Sequence, residues 1–235
     1  MMLSVCMATY NGAEFVVRQL NSVLSQLSEN DEVVVVDDGS KDRTVDLIRE
    51  TYGNRVQVHV NPENLGVIKS FEKAISLAKG EVIFLCDQDD EWESDKVEKV
   101  LAAFRQSDAS VVVHDASVVD GKGELIHKSW NSYNGNVISQ GIIGNIIKNA
   151  FTGCMMAFKK EMVPFFTPFP KSIEMHDQWI ALVAKLRKEK IVYIDEPLMK
   201  YYRHGGNVTG MKKRPVTAQI KGRLGTMSAI MNYKK

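Results

Sequence analysis

Residues 80–92, GEVIFLCDQDDEW, run from an apolar segment straight into three carboxylates, Asp87, Asp89 and Asp90. The apolar part shows no polar alternation, as expected of a strand covered on both faces of a sheet. Carboxylates about 4 Å apart repel by roughly 4 kcal/mol at an effective dielectric of 20, so such a cluster holds a cation or keeps a proton. Hard oxygen donors point to Mg²⁺ or Mn²⁺, ions that bridge protein carboxylates to phosphate oxygens. A solvated acidic turn before a helix starting near Ser94 would explain a lone Asp-x-Asp equally well. The surrounding chain therefore decides.

Three more segments toward the N-terminus have the same form. Residues 2–8 (MLSVCMA) read as a buried strand that stops at Thr9, Tyr10, Asn11 and Gly12. Val16, Leu20, Val23, Leu24 and Leu27 then keep the spacing of one helical stripe, with Glu14 expected in the first turn near the positive end of the helix dipole. Residues 33–36 form a second strand, which ends in DDGSKDRT (37–44); Gly39 suits a tight turn and Asp42 a helix cap. A third strand at 55–60 ends in NPENLG, where Asn64 is expected to cap a helix carrying Val67, Phe71, Ala74, Ile75 and Ala78. After the acidic stretch, Val97, Val100, Leu101 and Phe104 mark another helix, and residues 110–114 a fifth strand.

Strand and helix alternating at this spacing predict an α/β fold with a mostly parallel, Rossmann-like central sheet flanked by helices. Ligands bind such sheets at the carboxyl ends of the strands. Four strands ending in TYN, DDGS, NPENLG and DQDDEW should therefore line one crevice of nucleotide size.

Residues 115–149 are less periodic and glycine-rich, consistent with hairpin and loop over the sheet. Residues 150–160 (AFTGCMMAFKK) resume as a strand in which Thr152 and Gly153 would let a ligand approach the backbone. Trp179, Leu182, Val183 and Leu186 mark a helix that Asp177 should begin; a plain cap would explain that aspartate, and a catalytic base held ionised by the helix dipole is compatible with the cap. A strand at 191–194 leads into DEPLMKYYRHGGNVTG (195–210), where His204 stands before Gly205, Gly206 and Asn207 in a loop suited to phosphate.

At 235 residues the chain fits one α/β domain. Cys6, Cys86 and Cys154 lie in apolar runs without Cys-x-x-Cys spacing, as reduced core thiols of a cytoplasmic protein would, and no run approaches a membrane span. No feature calls for a nucleic-acid partner. The net charge of +1 hides an asymmetry: residues 211–235 hold seven Lys or Arg and no acid, leaving 23 basic against 29 acidic residues before them. In that tail Val216, Ile220, Leu224, Met227 and Met231 fall near one helical face, with Lys213, Lys221 and Arg223 elsewhere and Gly222 and Gly225 weakening the helix. A helix lying on an anionic membrane and a helix packed on its own domain both fit. The chain thus divides into a domain at 1–210 and a basic extension at 211–235.

In combination MATYNG, VVVDDGSKDRT, NLGVIKSF, the DQDD cluster, HDQW and YYRHGGNVTG resemble the family 2 glycosyltransferases of GT-A fold, in the family's order and over residues 3–210. CDQDDEW with HDQW and RHGGN is most similar to bacterial rhamnosyltransferases that build surface polysaccharides. The resemblance implies an inverting enzyme using Mn²⁺ or Mg²⁺ to move a sugar from a nucleotide-sugar donor, dTDP-rhamnose or a UDP-sugar, to a saccharide or lipid-linked saccharide. It implies a cytoplasmic enzyme, with peripheral contact at the inner face of the plasma membrane if the tail binds lipid. By this likeness Thr9, Tyr10 and Asn11 line base and ribose with Glu14 nearby, and Asp38 binds the imide of uracil or thymine. Lys69 faces base or diphosphate, and Gly153 lies against the donor. Asp87 meets ribose or metal, Asp89 is the main metal ligand, His204 completes the metal shell, and Asp177 is the base. Asp90 is left to face sugar or water. His176 stands where many relatives carry an acid.

Three rivals remain. A haloacid-dehalogenase-type phosphatase also places Asp-x-Asp after a strand, but wants Thr or Val where Glu91 stands. A nucleotidyltransferase would need a basic, glycine-rich loop where this chain has TYNGAEF. A non-catalytic nucleotide-sugar-binding module, a sensor or partner protein, would keep the same fold.

Overall fold

The computed structural model describes residues 1–204 and 215–234. Its parallel half contains β1 (Leu3–Thr9), β2 (Glu32–Asp37), β3 (Val56–Val60) and β4 (Val82–Cys86) in the order β3-β2-β1-β4. The connecting helices are α1 (Val16–Leu24), α2 (Thr44–Tyr52) and α3 (Val67–Leu77). The apolar runs are unbroken because both sheet faces are covered. Val5, Met7, Val33, Val35 and Phe84 pack on the side of α1, whereas Cys6, Val34, Val36, Ile83 and Leu85 pack on the side of α3.

Beyond β4 the sheet turns mixed. The chain continues through β5 (Glu91–Trp92), α4 (Lys96–Gln106) and β6 (Ala109–Asp120). A hairpin to β7 (Leu125–His127), then α5 (Trp130–Asn134) and α6 (Ile142–Ile147), fills the region expected to be hairpin and loop. The strand expected over 150–160 is shorter: Gly153–Met155 is a 3₁₀ turn, and β8 (Met156–Lys159) pairs antiparallel with both β4 and β6. Next come α7 (Val163–Phe166), α8 (His176–Leu186), β9 (Lys190–Arg203) and α9 (Val216–Met231).

Several local expectations are corrected. β9 does not stop at residue 194 but runs to Arg203, parallel to β6, and Pro197 is accommodated where the register shifts around Asp115. α1 starts at Val16, so Glu14 precedes the helix and lies exposed in water. Asn64 does not cap α3, whose N-cap is Gly66 at φ 88°. Instead, the backbone N–H groups of Leu65 and Gly66 donate to the Asp38 carboxylate.

The C-terminal helix α9 packs on its own domain through small residues, Gly222, Thr226 and Ala229, while Val216, Ile220, Leu224, Met227 and Met231 face solvent. Among the described residues no helix is long and apolar enough to cross a membrane. The three cysteines are free and buried. The expected boundary after residue 210, along with Gly205, Gly206, Asn207 and Lys213, lies outside the described residues.

Candidate functional site

The polar ends of β1, β2 and β4 and the loop after β3 meet in a cavity of about 400 Å³. Its wall includes Thr9 and Tyr10 from β1, Asp38 after β2, Asn64 and Gly66 before α3, and Asp87, Gln88 and Asp89 after β4. Thr152, Gly153, Glu174, His176 and Asp177 close the side nearest α8, and Tyr201 comes from β9. Of the residues singled out in the sequence, Thr9, Tyr10, Asp38, Asp87, Asp89, Gly153 and Asp177 are brought together here.

On the β2 side Asp38 anchors the loop after β3. Its Oδ1 accepts from Asn61 Nδ2 (2.9 Å) and Leu65 N (2.9 Å), and its Oδ2 from Gly66 N (2.8 Å). Burial alone would raise its pKa, but these hydrogen bonds outweigh burial and hold the carboxyl below its ordinary range. Thr9 lines the cavity with its hydroxyl turned inward to Asp37 Oδ2 (2.8 Å). Tyr10 is clamped at both backbone groups by the Gln88 amide, N–H to Oε1 (2.9 Å) and C=O from Nε2 (3.1 Å). A Cβ on Gly12 would sit 2.1 Å from Gln88 Oε1, so glycine makes room for that clamp.

Asn11, Glu14 and Lys69 do not join the wall. Asn11 sits at φ 46° and uses its Oδ1 to accept from Lys41 N (2.8 Å), so it shapes the turn beside the site. Lys69 is ion-paired with Glu72, one helical turn along α3.

The acidic turn has two layers. Asp87 and Asp89 face the cavity, and His204 Nε2 lies 2.8 Å from Asp89 Oδ2 with its ring stacked on Phe15 at 4.4 Å. Asp90 is turned away from the sugar side: it is 1% exposed, and its Oδ1 accepts from Tyr202 N (3.2 Å). This corrects its expected place toward sugar or water; pairing of β5 with β9 pulls it under the turn. Arg18 secures the turn from α1, donating to the Asp89 carbonyl (2.5 Å) and stacking on Tyr202 at 3.6 Å.

Beneath the turn, one buried side chain, Lys96, gave no sequence signal. Ligand atoms of Asp87, Asp90 and Cys154 lie within 4.8 Å of one another. Lys96, 1% exposed, donates to the Cys154 carbonyl (2.8 Å) and places its ammonium 4.0 Å from the Trp92 ring centre. Burial, then the charge of Asp89, pushes Asp87 up to about 7; burial, then Asp89 and Asp87, push Asp90 well up. Burial pulls Lys96 down to about 8. Its hydrocarbon stem reads as one more surface lysine of a helix, so only the packing reveals it.

This donor set suits a divalent cation. Carboxylates that strain against each other's charge, arranged at the wall of a cavity, gain from a hard cation what they lose by burial. Asp87 and Asp89 supply the cavity-facing oxygens, with the His204 imidazole at Asp89. The Cys154 thiol, pushed well up by burial and by Asp90, stays protonated and is a poor partner for Mg²⁺ or Mn²⁺.

Asp177 stands in the first turn of α8 and is not its N-cap, which is Met175. Its Oδ1 accepts from Asn149 Nδ2 (3.0 Å) and Gln178 N (2.6 Å), and its Oδ2 from Gly153 N (3.1 Å). The expectation that the helix dipole lowers its pKa is reversed: burial wins over His176 and the hydrogen bonds, and the carboxyl is raised. His176 beside it stacks on Phe71 at 4.3 Å. A Cβ at Gly153 would lie 2.9 Å from its Nε2, so Gly153 admits both the imidazole and the bond to Asp177.

Comparison with known proteins gives the arrangement a context. The profile of glycosyl transferase family 2 matches residues 4–164. The putative teichuronic acid biosynthesis glycosyltransferase TuaG of Bacillus subtilis is 30% identical over 196 residues, 78% of this chain and 73% of TuaG. Of three other curated relatives the chain spans 66%, 19% and 14% of the length. Staphylococcus aureus TarS 1–349, solved in complex with UDP-GlcNAc, superposes with TM-score 0.76 at 20% identity, covering 100% of this chain and 68% of TarS. The mannosyltransferase PcManGT of Pyrobaculum calidifontis, solved with GDP-Man and Mn²⁺, gives TM-score 0.67 at 20% identity over 99% of this chain and 65% of that one. At such identities these two establish the fold, which is GT-A.

Proposed function

The chain belongs to glycosyl transferase family 2, and from that premise we propose that it moves a sugar from a pyrimidine nucleoside diphosphate to a hydroxyl of a saccharide acceptor with inversion at the anomeric carbon. The observation that carries this reading is one cavity bounded by Asp87 and Asp89 on the turn after β4 and by Asp177 on α8. A carboxylate base and a phosphate-binding acidic turn, supplied by separate elements, are the two groups a single displacement needs.

Asp177 accepts the proton of the acceptor hydroxyl as its oxygen bonds to the anomeric carbon; the bond from that carbon to the diphosphate oxygen breaks and the nucleoside diphosphate leaves. Burial raises the Asp177 carboxyl toward the operating pH, which strengthens it as a base. Three hydrogen bonds fix its orientation, so little reorganisation accompanies proton transfer. Asp87 and Asp89, with His204 at Asp89, would hold a divalent cation, which when bound neutralises charge on the diphosphate. Asp38 and the clamped Tyr10 backbone bind the nucleoside, the carboxylate accepting from the imide N–H of uracil or thymine.

The donor sugar is proposed at the level of class. The dTDP-rhamnose implied by sequence resemblance and the UDP-GlcNAc bound by TarS both fit a pyrimidine site, and surface polysaccharide is the product class favoured by TuaG. A thermal-shift screen of dTDP-rhamnose, UDP-glucose, UDP-galactose and UDP-GlcNAc with Mn²⁺ separates them.

The decisive experiment is Asp177→Asn. Donor affinity measured by calorimetry should be unchanged, while transfer falls by about 10² to 10⁴-fold. Undiminished transfer in this variant would move the base to another residue.

A further inference from the structure

α9 is built inside out for a helix that merely covers its own domain. Its inward side is made of small residues set against the segment that leads into α8. A Cβ on Gly222 would meet Glu174 Oε2 at 1.8 Å, and one on Gly225 would meet the Ser172 carbonyl at 2.2 Å. Thr226 Oγ1 donates to Gln178 Oε1 (3.3 Å), next to the proposed base. Five large side chains point the other way: Val216, Ile220, Leu224, Met227 and Met231 are each between 45% and 78% exposed, while Ile230 packs against the core. Their spacing of i, i+4, i+8, i+11 and i+15 puts them on one continuous outward stripe.

The stripe does not end with α9. α6 lies against it, joined by the Arg223 guanidinium donating to the Ile147 carbonyl (2.9 Å), and contributes Ile143 and Ile147, themselves 74% and 55% exposed. A contiguous apolar face of this kind on a folded domain marks a docking surface.

Charge selects what docks. Both segments that build the face are free of carboxylates. Residues 125–160 hold four Lys and no Asp or Glu, and residues 215–234 hold Lys221, Arg223 and Lys234 and no Asp or Glu, although the chain carries 29 acidic residues elsewhere. Lys221 and Arg223 flank the stripe on either side of the helix; exposed Lys221 can lay its stem along apolar surface and reach outward with its charge, while Arg223 bridges to α6. A protein partner with an apolar patch needs no such exclusion of negative charge; a bilayer with anionic headgroups over an apolar interior rewards both halves of the pattern.

We propose that the outward faces of α9 and α6 dock the protein on an anionic lipid bilayer, which would hold the cavity near a membrane surface where a lipid-linked acceptor arrives. The acceptor half of this rests on the glycosyl-transfer reading; the docking face does not.

The test is flotation of the 235-residue chain with vesicles of phosphatidylcholine alone and of phosphatidylcholine with phosphatidylglycerol, alongside Leu224→Asp/Met227→Asp and Lys221→Glu. The unmodified chain should float with the anionic vesicles. Binding should fall about tenfold or more with neutral vesicles and in the double variant, and measurably in Lys221→Glu. Calorimetric donor binding should be unchanged in all variants, which serves as the folding control and keeps failure of docking separate from failure of the transferase reading. No flotation, or equal flotation of the unmodified chain and the double variant, overturns the proposal. So does a dimer in sedimentation equilibrium that the double variant dissolves, because the face would then be covered by a second copy.

Discussion

Lys96 is a cation enclosed beneath a cluster of carboxylates, and its neighbours explain why it is tolerated. Its ammonium is held by the Cys154 carbonyl and the face of Trp92, close to Asp90 and Asp87. Cys154 follows Gly153, whose N–H fixes Asp177, so one buried lysine steadies the segment between the acidic turn and Asp177. Lys96→Met keeps the stem and removes the ammonium, and should cost about 1–3 kcal/mol in urea unfolding because the buried Cys154 carbonyl loses its donor and the Trp92 face its cation. A second residue separates stability from function. In Gly12→Ala the new methyl collides only with the flexible end of Gln88, so stability should change by less than about 1 kcal/mol. The Gln88 clamp on Tyr10 must nevertheless swing away, and calorimetry should show weaker donor binding. Asp38, Asp87 and Asp89 were legible from sequence because each follows an apolar run at a strand's end, and Asp177 because it stands where the periodicity of α8 begins. Lys96 was not, since its burial depends on β5 folding back onto β9.

Elements were legible where one periodicity served one environment. β1, β2 and β4 carry apolar side chains to two covered faces, so their runs name them. β9 obscured itself: it passes from half-exposed to buried along its length and holds Pro197 inside a register shift against β6, so its second half reads as loop. The direction of β8 was hidden for another reason. Antiparallel pairing with β4 and β6 is set by the route the chain takes through α5 and α6, and no local pattern in residues 156–159 encodes it. α9 was ambiguous because its glycines weaken the helix while serving as its contact face. The two should respond differently to substitution. Gly225→Leu meets backbone at Ser172, which cannot rotate away, so the helix must lift. Hydrogen exchange should accelerate across residues 216–231 and the melting temperature should drop. Gly222→Ala meets the end of the Glu174 side chain and should have the smaller effect on both.

For the molecule as a whole, two populations of carboxylates pull stability in opposite directions with pH. Glu32, Asp38 and Asp42 are pushed up by burial but held lower overall by their hydrogen bonds, so each contributes stability above its unfolded pKa near 4 that is lost as pH falls through the lower folded value. Asp87, pushed up to about 7 by burial and Asp89, has the opposite sign: between about pH 4 and 7 the folded chain binds a proton that the unfolded chain has released, so stability declines as pH rises through that window. Asp90 and Asp177, also raised, add to the decline. In EDTA the melting temperature should therefore peak on the acid side of neutrality and fall toward pH 8. A cation that binds only the folded site stabilises in proportion to RT ln(1 + [L]/Kd) and competes with the proton, so saturating Mn²⁺ should raise the melting temperature more at pH 8 than at pH 5. The same comparison on Asp89→Ala tests the assignment of the ion to the cavity-facing oxygens. Loss of the Mn²⁺ increment at pH 8 places it there; a full increment in that variant would assign the ion to another group of the chain.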